Sequence, residues 1–217
     1  MVRGEDKRAA ILRAGLARFA RYGFRRTSME DIAREADISR AAVYLHFKNK
    51  EEIFRALAHQ LQERALAAAQ EVAAEVMPIE MRLRRILEAK MASLFDVVYG
   101  SAHAAELLDE SNRICGDISA ASMRRYLQLL TAVLTDAVRR KQLAPQSAGG
   151  AAAAAEMIVQ CAEGIKRTGG AALTPDVYRR RLDQFVRVIV GGLGGKVSPG
   201  GAIQAQRARR PRKEERA

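Results

Sequence analysis

Three observations predict an all-α fold. Apolar residues recur at three- and four-residue spacing almost throughout, and no credible run of alternating β-branched residues interrupts them. Ala, Leu, Arg and Glu dominate, aromatic residues make up only 5% and Trp is absent. The punctuation between segments is helix punctuation, with capping hydroxyls, acidic first turns and terminal glycines. At 217 residues the chain is long enough to bury a proper core.

The elements follow in order. Ile11, Leu12, Leu16 and Phe19 line one side of a first helix over about 5–22, which Gly23 ends and Phe24 closes. In "TSMEDIAREAD", Thr27 or Ser28 caps a second helix, and Met29, Ile32, Ala33 and Ala36 form its buried stripe. Asp37-Ile38 makes a tight turn, and Ser39 caps a short third helix over about 40–46. Asn49 caps a fourth with Glu51 and Glu52 in its first turn, and its apolar stripe runs from Ile53 to Val76 before Pro78. At 1.5 Å per residue this helix over 50–76 is about 40 Å long, the length of a connector between two units. Further helices are predicted at about 78–99, 101–112, 118–142, 150–168 and 175–193. Thr174-Pro175 supplies a capping hydroxyl followed by proline at the first helical position. Gly191, Gly192, Gly194 and Gly195 end the folded part, and the Pro-, Gly- and charge-rich stretch 196–217 is expected to be a disordered basic tail.

Charge locates the partner. Lys and Arg outnumber Asp and Glu by 12 to 6 over residues 1–50, by 18 to 17 over 51–195, and by 7 to 2 over 196–217. A balanced middle between basic ends fits a polyanion that meets the ends alone, namely nucleic acid. Enzyme chemistry has no footing. There is no Ser–His–Asp or Cys–His spacing, no paired-carboxylate motif and no Gly-rich phosphate loop, so neither catalytic residues nor a cofactor are predicted. His46, His59 and His103 are scattered, Cys115 and Cys161 stand 46 positions apart, and no metal site can be assembled from them. The cysteines read as two small buried side chains in a reducing compartment. The longest apolar stretch, "AAAAAEMIV" from Ala151, falls far short of the roughly 20 residues a membrane helix needs. The N-terminus lacks a signal-peptide core, which places the protein in the cytoplasm with no membrane partner.

Three short helices within 47 residues, the last two joined by a tight turn, make a helix-turn-helix DNA-binding domain over 1–50, with its motif at about 28–47. The run "ISRAAVYLHF" then has a physical order. A recognition helix enters the major groove by its N-terminal end, so Ser39, Arg40 and Ala41 are small or extended where base edges are closest. Arg40 suits a bidentate contact to guanine, and the Ala41 methyl suits a thymine methyl. Tyr44 and His46 sit where the helix leaves the groove and carry donors for phosphate oxygens, while Val43 and Phe47 point inward. Thr27 and Lys50 complete the ring of phosphate contacts.

Residues 9–57, with "LARFARYGF", "TSMEDIAREA" and "ISRAAVYLHFKNKEEIF" at their particular spacing, resemble the DNA-binding domain of the TetR family of bacterial regulators. The resemblance covers about a quarter of the chain. It implies that Thr27, Ser39, Arg40, Ala41, Tyr44, His46 and Lys50 face double-stranded DNA. It further implies a C-terminal helical ligand-binding and dimerisation domain, here 51–195, entered by the long helix. Asp37 stands where the family usually has Gly, and Leu45 where an aromatic is common.

The last two helices are the candidate homodimer interface, through Met157, Ile158, Cys161 and Ile165 on one and Leu182, Phe185, Val186, Ile189 and Leu193 on the other. Met81, Met91, Phe95, Tyr99, Met123, Tyr126 and Leu130 suit an adaptable pocket for a small-molecule effector, with His103, Glu106, Asp109 and Glu110 as polar orienting groups. For Asp109 and Glu110 a solvated acidic face is the preferred reading. The reading is a ligand-responsive repressor; an effector-independent regulator or an activator with the same DNA reader stays open.

Overall fold

A computed structural model describes residues 4–94, 100–166 and 173–197. Phe95, Tyr99 and most of the basic tail lie outside the described residues. Among the described residues every regular element is helical: α1 Gly4–Tyr22, α2 Met29–Glu35, α3 Arg40–Tyr44, α4 Lys50–Ala74, α5 Ile79–Leu94, α6 Ala104–Ile114, α7 Gly116–Arg139, α8 Ala151–Ile165 and α9 Pro175–Gly192, with a 3₁₀ turn at Pro145–Ala148.

Local chemistry sets these boundaries. Ser28, not Thr27, caps α2: its Oγ accepts from the Asp31 N–H at 3.1 Å, and its own N–H donates to Asp31 Oδ2 at 3.0 Å. Ser39 Oγ accepts from the Ala42 N–H, Asn49 Oδ1 from the Glu52 N–H and Thr174 Oγ1 from the Val177 N–H. Asp37 takes the left-handed conformation at φ 55°, so the turn keeps its shape without glycine.

Two hydrophobic cores result. The C-terminal core joins α4, α5, α7, α8 and α9 around Leu83, Ile86, Leu130, Leu134, Ile158 and Leu182. The N-terminal core gathers Ile11, Phe19, Ile32, Val43, Phe47 and Ile53, but it does not stop at residue 50. Leu107 and Ile114 of α6, and Cys115 beyond it, are buried in it as well. Phe19, Phe24 and Phe54 pack as a triangle with centroids 5.1–5.5 Å apart, each pair contributing about 0.5–1.5 kcal/mol beyond area burial. The long α4 therefore belongs to both cores, its first turns to one and its later turns to the other.

The predicted dimer stripe needs correction. Ile158, Leu182, Val186 and Leu193 are buried within this chain's own C-terminal core, because the apolar stripe of α9 turns inward against α5 and α8. The other predicted residues do lie on the outer side, Met157 and Cys161 of α8 exposed and Ile165, Phe185 and Ile189 half-buried, beside exposed Val188 of α9, which is not among those expected. Cys161 is thus not the buried side chain expected of it, whereas Cys115 is.

Candidate functional site

The helix-turn-helix presents a consistent outer face. Val43 and Phe47 are buried, which turns Arg40, Ala41, Tyr44 and Leu45 outward. Tyr44 is 43% exposed and Leu45 85%, a high value for a leucine at the end of a five-residue helix. His46 is half-buried, and its N–H donates to the Val43 carbonyl at 3.0 Å. The Arg40 guanidinium lies over the Tyr44 ring, 5.6 Å from its centroid, and 3.9 Å from Glu30. Both contacts are at the surface and leave the guanidinium accessible. Ser39 is exposed and engages its hydroxyl as the cap of α3.

Two expected DNA contacts are corrected. Thr27 is buried at 1% exposure, and its hydroxyl donates to the Gly23 carbonyl at 2.7 Å. With Ser28 capping α2, Thr27 is left to close the α1–α2 loop. Lys50 points into that same loop. Its ammonium donates to the carbonyls of Phe24 at 2.8 Å, Arg25 at 3.2 Å and Thr27 at 2.9 Å, and stands 4.5 Å from the Phe24 ring centroid. All three of its hydrogens are engaged, so it is a structural staple rather than a phosphate contact. Burial lowers its pKa. Exposed Arg26 and Lys48 flank the motif in its place, and helix patterning singles out neither because both stand in loops.

The loop is held from the other side by α6. Glu106 Oε1 accepts the Arg25 N–H at 2.7 Å, and Gly23, at φ 81°, has that carboxylate where a Cβ would stand. A side chain there would be strained by the left-handed backbone and would push the Glu106 carboxylate off the loop. Glu110 is buried and bonds Arg25 Nε at 3.0 Å and Arg113 Nε at 2.7 Å. Arg113 continues to Glu51 on α4 at 3.0 Å. The Arg113 and Arg25 guanidinia hold the Glu110 carboxyl below its ordinary range. The acidic face on α6 is thus a clasp on the helix-turn-helix unit, and only Asp109 of the expected solvated pair is exposed. His103 goes with the clasp too, 3.8 Å from Glu106 and away from the pocket predicted for it.

The predicted pocket is partly assembled. Met91, Met123 and Tyr126 do line one cavity, of about 20 Å³, together with Leu87, Lys90 and Tyr178. Met81 is 44% exposed on the outside of α5, and Leu130 is buried in the core below. Lys90 is not among the expected lining residues, although the signal is present: Leu83, Ile86, Leu87, Lys90 and Met91 share one face of α5, so a cation interrupts an apolar stripe. A larger apolar recess, about 120 Å³, opens between α1, α4 and α6 beside Leu16, Phe54, Leu57 and Leu108.

Residues 11–57 match the family described as bacterial regulatory proteins, tetR family. The HTH-type transcriptional regulator TtgR of Pseudomonas putida is 31% identical over 147 residues, covering 64% of this chain and 69% of the relative. Among solved structures, a transcriptional regulator of the TetR/AcrR family from Thermobifida fusca aligns over 86% of this chain and 98% of its own, with a TM-score of 0.68 at 17% identity. SmeT, the repressor of the Stenotrophomonas maltophilia multidrug efflux pump SmeDEF, aligns over 85% of this chain and 89% of its own, with a TM-score of 0.63 at 22% identity. No described helix is long and apolar enough to cross a membrane.

Proposed function

Since the chain belongs to the TetR family, and is therefore a DNA-binding transcriptional regulator rather than an enzyme, we propose that it is a cytoplasmic repressor that binds a palindromic operator as a homodimer and is released by a small molecule. The observation that carries the reading is the outer face of α3, where Tyr44 and Leu45 stand exposed over a buried Val43 and Phe47. Arg40 and Ala41 read base edges at the leading end, Ser39, Tyr44 and His46 meet the backbone, and Arg26 and Lys48 add phosphate contacts. The α8–α9 face with Met157, Cys161 and Val188 pairs two copies. Pairing sets the recognition helices about 34–36 Å apart, one turn of DNA.

Selection of duplexes from a random pool by the purified protein is expected to return a palindrome with two half-sites. Arg40→Ala and Tyr44→Ala are each expected to weaken binding to that site about tenfold or more. Return of no symmetric site, or undiminished binding by both variants, refutes the proposal. Deletion of residues 196–217 is expected to flatten the salt dependence of binding, since fewer phosphates are then neutralised.

A further inference from the structure

Several charged groups withdrawn from water in this molecule are answered in full by their neighbours. Glu110 has two arginines, Arg82 has Asp136 at 3.2 Å, and Lys50 has its three loop carbonyls. Lys90, on the apolar stripe of α5, differs. It has two acceptors where Lys50 has three: Gln62 Oε1 on α4 at 2.7 Å and Ser122 Oγ on α7 at 3.0 Å, both neutral. Among the described residues its third hydrogen has no acceptor and no carboxylate is ion-paired with it. A second observation comes from the same cavity. The Tyr126 hydroxyl is buried, at 3% residue exposure, and has no hydrogen-bond partner among the described residues. The Lys90 ammonium is 5.4 Å from the centroid of that ring. Burial pushes the Tyr126 phenol up, so it stays protonated and able to donate.

A partly buried cation with a hydrogen left over, beside a buried hydroxyl without a partner among the described residues, is costly unless something with acceptor oxygens and negative charge completes the pair. We infer that the cavity between α5, α7, α8 and α9 takes an amphipathic weak acid, whose carboxylate is recognised by Lys90 and Tyr126. This inference rests on the reading of the protein as ligand-responsive and gives that ligand its chemical class. The cavity now has room for about one water. The acid's apolar body therefore enters by displacing Met91 and Met123, unbranched side chains that repack readily. The other charged groups around Lys90 come in both signs: Glu163 on α8 paired with Lys166 at its C-terminal cap, Glu63 on α4 and Arg125 on α7. They leave the Lys90 charge unanswered, and the ligand supplies the missing one.

The test compares acids with their neutral amides, benzoate with benzamide and octanoate with octanamide, by thermal shift and calorimetry at pH 7 on the full chain. At least one acid is expected to bind about tenfold more tightly than its amide, with Lys90→Met removing the difference and Tyr126→Phe reducing it. Lys90→Met alone is expected to melt at or above the wild-type temperature, because Gln62 and Ser122 remain bonded to each other at 3.0 Å. The inference is overturned by amides that bind as well as acids, by no member of either pair binding, by an acid preference that survives Lys90→Met, or by a Lys90→Met protein that melts lower. Fluorescence anisotropy on the selected operator separates this inference from the broader reading. Amides that release DNA while acids do not would leave the ligand-responsive reading standing and this one fallen. Acids that bind through Lys90 without changing DNA affinity would do the reverse.

Discussion

Lys50 and Lys90 are both partly buried lysines, both have their pKa lowered by desolvation, and both stand over an aromatic ring. They differ in what surrounds the ammonium. Lys50 meets three carbonyls of one loop and has no hydrogen left to give. Lys90 meets two neutral groups and then faces a cavity lined by the Tyr126 phenol, which has no hydrogen-bond partner among the described residues. A saturated buried cation is part of the architecture, whereas an unsaturated one is held ready for something else. Both halves also carry matched charges, Glu110 with Arg25 and Arg113 in one and Arg82 with Asp136 in the other, and against these Lys90 stands out as a cation with a hydrogen left over among the described residues.

Substitution of the two lysines sharpens the contrast most. Lys50→Met leaves three loop carbonyls without their donor and is expected to destabilise the protein by about 3 kcal/mol in denaturant unfolding. A loss below about 0.5 kcal/mol would place Lys50 in the same class as a surface lysine. Next is Glu110→Gln, which weakens the clasp between α6 and Arg25. Its expected cost is about 1–2 kcal/mol near neutral pH. Because Glu110 is held below the ordinary carboxylate range, its contribution is present above about pH 4.5 and fades as pH falls through its folded value. The variant's stability should therefore converge on the wild type in acid, and parallel curves would exclude the charge as the cause. The smallest effect, and the one with opposite sign, belongs to Lys90→Met, expected to add about 1 kcal/mol by removing an unpaired charge from partial burial. Desolvation brings Lys90 down to about 8 from an ordinary 10.5, so between those values the unfolded chain holds a proton that the folded one has released. Wild-type stability attributable to this group rises across that window, and Lys90→Met removes its share of the rise. An unchanged pH profile in the variant would show that folding does not desolvate the Lys90 ammonium.

Caps and periodicity were legible in the residues themselves. Ser39, Asn49 and Thr174 each stand immediately before a helical stripe and cap it, and Val43 and Phe47 point inward as their spacing requires. Contacts across long separations were not legible. Nothing local to Lys50 indicates that its ammonium meets carbonyls more than twenty positions earlier, or that Glu110 reaches back to Arg25. Apolar stripes carry a related ambiguity. Leu182, Val186 and Leu193 promise a buried face, but spacing alone does not tell a partner chain from the rest of the same chain, and here α5 and α8 cover them. Lys90 was legible in principle, since it breaks the stripe of α5, yet long basic side chains commonly snorkel away from such positions.

Gln62 and Lys50 stand on the same helix, 12 positions and about 18 Å apart. One helix thus joins the amide that holds the Lys90 ammonium to the staple under the helix-turn-helix unit. A signal travelling this way is mechanical, and it is only as good as the rigidity between the two grips. His59 lies exposed in that span. If the proposed acid signals along this helix, His59→Gly, a substitution that costs an exposed helical site about 1 kcal/mol, is expected to shrink the change in operator affinity that the acid produces while leaving each affinity near its wild-type value.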